Sequence, residues 1–161
     1  MRIREMRETD IDAINAGFAA MGWPGRPRVL AQYLAEQAAG SRRVFVAEVA
    51  GQVAGYLTLL PKAPHGPWAG QLPELADFNV FAAFRQAGVG TSLMAAAETA
   101  AGLPVTLGVG LHPGYGPAQR LYVRRGYVPD GSGAWLDGRR PVAEDEVAPV
   151  ADLVLYMIKE R

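Results

Sequence analysis

Cysteine is absent from the 161 residues, which excludes disulfides, thiolate metal sites and a cysteine nucleophile. Histidine is scarce as well. His65 and His112 stand far apart in the chain, so nothing in their spacing suggests an imidazole metal pair, and no metal site is expected. There is no excess of either charge: sixteen basic residues balance sixteen acidic ones, and no overall field favours nucleic acid or an anionic membrane. No stretch approaches the ~18 apolar residues of a membrane span, and the charged start MRIREMRETD lacks the apolar run of a signal peptide. These absences point to a cytoplasmic protein that takes neither nucleic acid nor membrane as partner. Half of the residues are apolar, enough for one well-buried core in a chain too short for two typical domains, so residues 1–161 are expected to form a single domain.

The most informative stretch is residues 84–101, FRQAGVGTSLMAAAETAA, where a polar loop with glycines runs into a helix that meets no breaker before Gly102. A helix start leaves about four N–H groups without intrahelical partners and carries roughly half a positive charge, which suits an anion such as phosphate. Gly88 and Gly90 remove side chains where a ligand would approach the backbone, Arg85 adds a cation, and Thr91 and Ser92 add hydroxyls. An ordinary helix start with a glycine turn is the competing reading. FRQAGVGTSL is neither a G-x-x-x-x-G-K-[ST] loop nor a full G-x-G-x-x-G fingerprint, so a nucleotide-phosphate enzyme is disfavoured.

Around this junction the pattern predicts alternating elements. Residues 1–7 read as a strand, followed by a helix capped by Thr9 or Asp10 and carrying Ile11, Ile14 and Phe18. After the stiff turn Trp23-Pro24-Gly25-Arg26-Pro27, a second helix carries Val29, Leu30, Tyr33, Leu34 and Ala38. Residues 43–49 and 53–60 form a hairpin about Ala50-Gly51-Gln52. The proline-rich residues 61–71, which hold His65 and Trp68, read as a surface loop. Residues 72–80 form the strand feeding the glycine loop, with Asp77 and Asn79 on one face. Residues 105–111 form the next strand, reached by a right-handed parallel crossover. In that strand Gly108 and Gly110 suggest either a close ligand or backbone, or tight packing. A short helix ends at Gly126, Tyr127 and Val128 begin a strand, residues 129–138 read as loop, and residues 152–158 close the chain as a strand. Glu144, Asp145 and Glu146 could attract a cationic substrate or simply be solvated.

With FRQAGVG and AQRLYVRRGY inside this order, the whole chain resembles the GCN5-related N-acetyltransferase (GNAT) superfamily. Arg85, Gly88 and Gly90 meet its glycine-loop motif, and Ala118, Tyr122, Gly126 and Tyr127 meet its downstream motif. The resemblance implies an α/β (α+β) fold: a mixed central sheet of about seven strands flanked by about four helices and splayed between the fourth and fifth strands. It implies that acetyl-coenzyme A (acetyl-CoA) binds with its pyrophosphate on the amides of Gln86, Ala87, Gly88, Val89, Gly90 and Thr91, beside Arg85. Its pantetheine would lie along Phe78, Asn79, Val80 and Phe81. Tyr115, Ala118 and Tyr122 complete the cofactor residues, although many members carry asparagine where this chain has Tyr115. The partners implied are acetyl-CoA and an amine acceptor, and homodimers are a family habit.

The implied reaction is direct attack by a neutral amine on the thioester within a ternary complex. An alkylamine with a pKa near ~10 must first lose a proton, for which Asp77, or else Glu74 or water, is the candidate base. A hydrogen-bonded structural carboxylate is the competing reading for Asp77. A backbone N–H near Val80 is the candidate oxyanion donor, and Tyr122 the candidate acid for the departing thiolate, against a role as a core tyrosine. Phe18, Met21, Trp23 and residues 129–149 would line the acceptor pocket, with packing beneath the helices the favoured role for Trp23. A non-catalytic acyl-CoA-binding or sensor domain is the alternative function.

Overall fold

The computed structural model describes residues 1–136, 138–141 and 147–161. Among the described residues, seven strands and four α-helices make the mixed α/β sheet architecture that the resemblance implies. They fall into two compact units, residues 1–60 with 75–101 and residues 61–74 with 102–161.

The first unit holds β1 (Arg2–Glu5), α1 (Asp10–Ala20), α2 (Pro27–Ala38), β2 (Arg43–Val49), β3 (Gln52–Leu60), β4 (Glu74–Val80, all but Glu74) and α3 (Val89–Ala101). Its strands lie in the order β1-β2-β3-β4. β1 and β3 run antiparallel to β2, with Ile3 opposite Ala47 and Phe45 opposite Leu57. The β2–β3 hairpin turns on Ala50 (φ 49°) and Gly51 (φ 78°), the paired left-handed conformation whose twist matches a two-residue hairpin. Val44 to Ala47 are buried in succession, which requires cover on both faces of the sheet. α1, α2 and α3 supply it, each packing on β2 or β3. Ile14 and Phe18 of α1, Leu30 of α2, Val44 and Val46 of β2 and Tyr56 of β3 form one core cluster with Met6 and Phe81.

The start of α1 differs from expectation. Thr9 stands at the cap position without a side-chain cap bond. Asp10 instead turns back into the unit, accepting from Arg4 Nη1 (2.6 Å), Arg4 Nη2 (2.8 Å) and the Arg7 amide (2.8 Å). Burial works against the Asp10 charge, but the Arg4 and Arg7 hydrogen bonds outweigh it and hold its pKa below the usual value.

The second unit holds β5 (Val105–Gly110), α4 (Gly116–Arg124), β6 (Val128–Leu136) and β7 (Leu153–Lys159), with strand order β5-β7-β6 and all pairs antiparallel. β6 corrects the reading of residues 129–138 as loop. Pro129 pairs with Met157 and Ala134 with Leu155, so residues 130–133 bulge out against Tyr156. Gly131 (φ 85°) and Gly133 (φ 80°) supply the left-handed backbone the bulge needs, which is why turn-forming residues sit inside a strand here. The glycines of β5 are also settled. A Cβ on Gly110 would fall 2.4 Å from the Tyr115 ring, and one on Gly108 2.9 Å from Val154. Side-chain packing takes up that space, in place of the ligand or second backbone that was the other reading.

In the first unit, β4 closes on β3 at Gly55, where an added Cβ would lie 2.4 Å from the Asn79 carbonyl oxygen and 3.0 Å from Val80 Cα. These are main-chain atoms that no rotamer change can move. Gly55→Ala is therefore expected to cost about 1–3 kcal/mol, read as a lower urea midpoint, with the β4 amides exchanging hydrogen faster than in the parent.

Candidate active site

The loop before α3 leaves its main chain open to solvent. Gln86 (φ 62°) and Gly88 (φ 77°) both adopt left-handed backbone, which is costly for the non-glycine Gln86. Residues 85–88 are exposed, and a Cβ on Gly88 would meet nothing within 4 Å, so the approach to its main chain is open. Gly88 O accepts from Ser92 N at 3.0 Å as the first turn closes. α3 buries Val89, Leu93, Met94 and Ala97, while Thr91 is exposed at its start. Arg85 is tied down, donating from Nε to Val80 O (3.2 Å) and from Nη2 to Met21 Sδ (3.4 Å). Loop and strand end are thereby linked. Phe81 turns inward, buried and ring-to-edge with Phe18 at 5.7 Å.

Asp77 sits within β4 at φ 49°, a left-handed conformation that interrupts the regular pleat. Its carboxylate gathers donors from four elements. Oδ2 accepts from Arg26 Nη2 (2.6 Å), Tyr33 OH (2.9 Å) and Tyr56 OH (2.9 Å), and Oδ1 from Asn79 Nδ2 (2.9 Å). Arg26 Nη2 also donates to Tyr56 OH. A carboxylate offers about two lone-pair sites on each oxygen, so Oδ2 is fully used by three donors while Oδ1, with Asn79 alone, keeps room for one more. Burial, then the Asp77 charge, pushes the Tyr33 phenol up to about 12, and the same causes in the same order raise Tyr56. Both phenols therefore stay protonated and donating at neutral pH. Burial opposes the Arg26 charge, yet Asp77 outweighs it and raises the guanidinium pKa.

Supporting contacts extend outward from this group. Arg42 lies over the Tyr33 ring (4.2 Å) while donating to Glu36 (2.5 Å) and Thr58 (2.8 Å). The turn bearing Arg26 is held by its own amide, which donates to Asn15 Oδ1 at 2.6 Å. Gly25 leaves room for that asparagine, since a Cβ there would sit 2.8 Å from Asn15 Oδ1. Sequence reasoning placed Asp77 and Asn79 on one face of β4 and missed Arg26, Tyr33 and Tyr56. Tyr33 and Tyr56 were absorbed into apolar periodicity. The available signal was a cation fixed between Pro24-Gly25 and Pro27.

In the second unit, Tyr122 is buried on α4, its ring 6.0 Å from that of Tyr127. Burial, then Tyr115, raises its pKa, so the phenol keeps its proton. Tyr115 is half exposed, its ring against Gly110, and Gln119 Nε2 donates to Gly110 O at 2.8 Å. Ala118 is half-buried on the same helix. His65 lies in its loop against Gly138, whose added Cβ would fall 3.1 Å from His65 Cβ. Trp23 differs from the expected buried packing: it stacks on Phe18 at 6.1 Å with 49% of its surface exposed. Glu144, Asp145 and Glu146, with part of the predicted acceptor-pocket segment, lie outside the described residues. Among the described residues no group of His, Asp and Glu could hold a metal ion, and no helix is long and apolar enough to cross a membrane.

Residues 40–129 match the family model of the acetyltransferase (GNAT) domain. No curated protein matches the chain in sequence. Solved structures do match in fold. The ribosomal-protein-alanine N-acetyltransferase of Brucella melitensis aligns over 100% of both chains at 21% identity and a TM-score of 0.71. Ard1 from Thermoplasma volcanium aligns over 99% of this chain and 96% of its own, at 21% identity and 0.69. An N-acetyltransferase from Staphylococcus aureus aligns over 99% and 97%, at 18% identity and 0.68. At these identities the likeness is one of fold.

The Asp77 group sets a pH dependence whose sign follows from Tyr33. The folded pKa of about 12 lies above the ordinary 10.0, so the contribution is complete below pH 10 and is lost as pH rises toward 12. Tyr33→Phe should cost about 1 kcal/mol at neutral pH and flatten the alkaline loss of stability, as read from urea midpoints measured from pH 8 to 12.

Proposed function

The chain belongs to the acetyltransferase (GNAT) family, and on that premise we propose that it transfers an acetyl group from acetyl-CoA to a primary amine by direct attack in a ternary complex. The observation that carries this reading is the exposed loop at residues 85–88, left-handed at Gln86 and Gly88, with unobstructed main chain at Gly88 before the N-terminus of α3. Amides from Gln86 to Thr91 would hold the pyrophosphate, because a helix start offers unpaired donors and a partial positive charge. Phe78, Asn79, Val80 and Phe81 would contribute main-chain groups to the pantetheine, since the Asn79 side chain is engaged by Asp77 and Phe81 is buried. When bound, acetyl-CoA supplies an activated thioester carbonyl.

The chemistry asks little of side chains. The amine nitrogen bonds to the carbonyl carbon, the carbon–sulfur bond breaks, and the sulfur takes a proton. Tyr122 is assigned as the donor of that proton from its place in the downstream motif; burial keeps the phenol protonated but also weakens it as an acid, so a hydrogen bond to the departing sulfur is part of the role. A main-chain N–H near Val80 is assigned to the developing oxyanion. Tyr115 and Ala118 complete the cofactor contacts on the second unit. Asp77 is assigned a positioning role. Three donors hold its Oδ2 against α2, its preceding turn and β3, so in this reading Asp77 orients its neighbours and the amine's proton passes to water. A cytoplasmic setting and assembly as a homodimer belong to the same reading.

The bonds from Arg26, Tyr33 and Tyr56 that hold Asp77 Oδ2 also favour the second reading, an acyl-CoA-binding or sensor domain without turnover. Calorimetric titration with acetyl-CoA followed by a thiol-release screen of amines separates the two. Binding with transfer supports the enzyme, binding without transfer the sensor, and no binding removes both. On an accepted amine, Tyr122→Phe should lower kcat by about a hundredfold and leave the dissociation constant for acetyl-CoA unchanged. An unchanged kcat would set Tyr122 aside as the acid.

A further inference from the structure

Arg26 has donors that the Asp77 group does not use. Oδ2 of the carboxylate accepts from Arg26, Tyr33 and Tyr56 and Oδ1 from Asn79, and both Arg26 contacts fall on Nη2. Arg26 Nε is enclosed with no partner, and Nη1 makes no hydrogen bond among the described residues. The guanidinium is nonetheless held in place. It lies over the Phe18 ring at 5.0 Å, its own amide is tied to Asn15, and its side chain keeps 35% of its surface exposed. Nε is shut in, so Nη1 is the donor left for a ligand, and a cation fixed at the surface with an unused donor suits a carboxylate.

The surroundings favour the same sign of ligand. Residues 22–28 carry Arg26 and Arg28 and no acidic residue, and Arg28 is exposed. Arg26 precedes α2, whose first turn has no acidic side chain to offset its positive end. Asp77 pairs with Arg26 at 2.6 Å through Nη2 and accepts from three neutral donors besides, so a second carboxylate would reach the guanidinium at Nη1. Trp23, half exposed on Phe18, borders the turn with an apolar face.

We propose that Arg26 is a specificity-determining residue that binds a carboxylate carried by the acceptor amine, so that the acceptor class is amino acids and similar amino-carboxylic acids. This rests on the acetyltransferase reading above, in which β4 borders the reaction and Arg26 is anchored to that strand through Asp77. Asp77, Tyr33 and Tyr56 act through Arg26 as positioning residues.

The test pairs each of several amino acids with its α-carboxamide as acetyl acceptor. In parallel, calorimetry on the coenzyme A-loaded protein compares the N-acetyl amino acids with their amides. The acids should exceed the amides by about tenfold or more in kcat/KM or in affinity. Arg26→Gln should erase that preference while the dissociation constant for acetyl-CoA stays constant, and Arg26→Lys should retain part of it. Because Arg26→Gln leaves Asp77 without its cation, the pair Arg26→Gln/Asp77→Asn is tested alongside, with thermal melts to confirm folding. Equal handling of acids and amides, failure of both probe types to bind, or a preference that survives in folded Arg26→Gln protein would overturn the inference. If acetyl-CoA itself does not bind, the acetyltransferase reading fails first and this inference falls with it.

Discussion

The negative charge of Asp77 is the constraint around which the first unit is arranged. A carboxylate placed in a strand and mostly removed from water must be neutralised and hydrogen-bonded. Its donors come from the turn before α2, from α2 itself, from β3 and from β4. Breaking a fully buried pair of this kind costs about 3–5 kcal/mol, a figure reduced here because Arg26 stays partly exposed. The positive φ at Asp77 belongs to the same arrangement: the backbone departs from regular strand where the carboxylate meets its partners. Polar contacts thus locate α2 and its preceding turn against β4, where apolar packing alone would tolerate sliding.

The fold was largely legible because most elements announce themselves locally. The β2–β3 hairpin was readable from two apolar runs flanking Ala50-Gly51, and α3 from a run without breakers that ends before Gly102. β6 was not. Pro129, Gly131 and Gly133 read as loop because local preference opposes strand, and only pairing with β7 around a bulge makes strand the outcome. Tertiary pairing overrides propensity most easily at such edges.

The candidate site was half legible for a similar reason. The glycine loop is contiguous, so its residues could be named together, but the left-handed backbone of Gln86 carries no mark in the sequence. The Asp77 group is assembled from positions 26, 33, 56, 77 and 79, and a single sequence gives no sign that Tyr33 and Tyr56 point hydroxyls at one carboxylate. Their rings satisfy the apolar pattern and conceal the polar ends. Trp23 misled in the opposite direction, its size suggesting burial where the chain leaves it half exposed.

The seat of Tyr115 on Gly110 joins two departures that look separate along the chain. The ring fills the volume where a side chain on Gly110 would stand, so the two positions share one space. A shorter residue at 115 would bare the end of β5, and a larger one at 110 would drive the ring outward. Positions 110 and 115 are therefore expected to vary jointly through descent, each limiting what the other can accept.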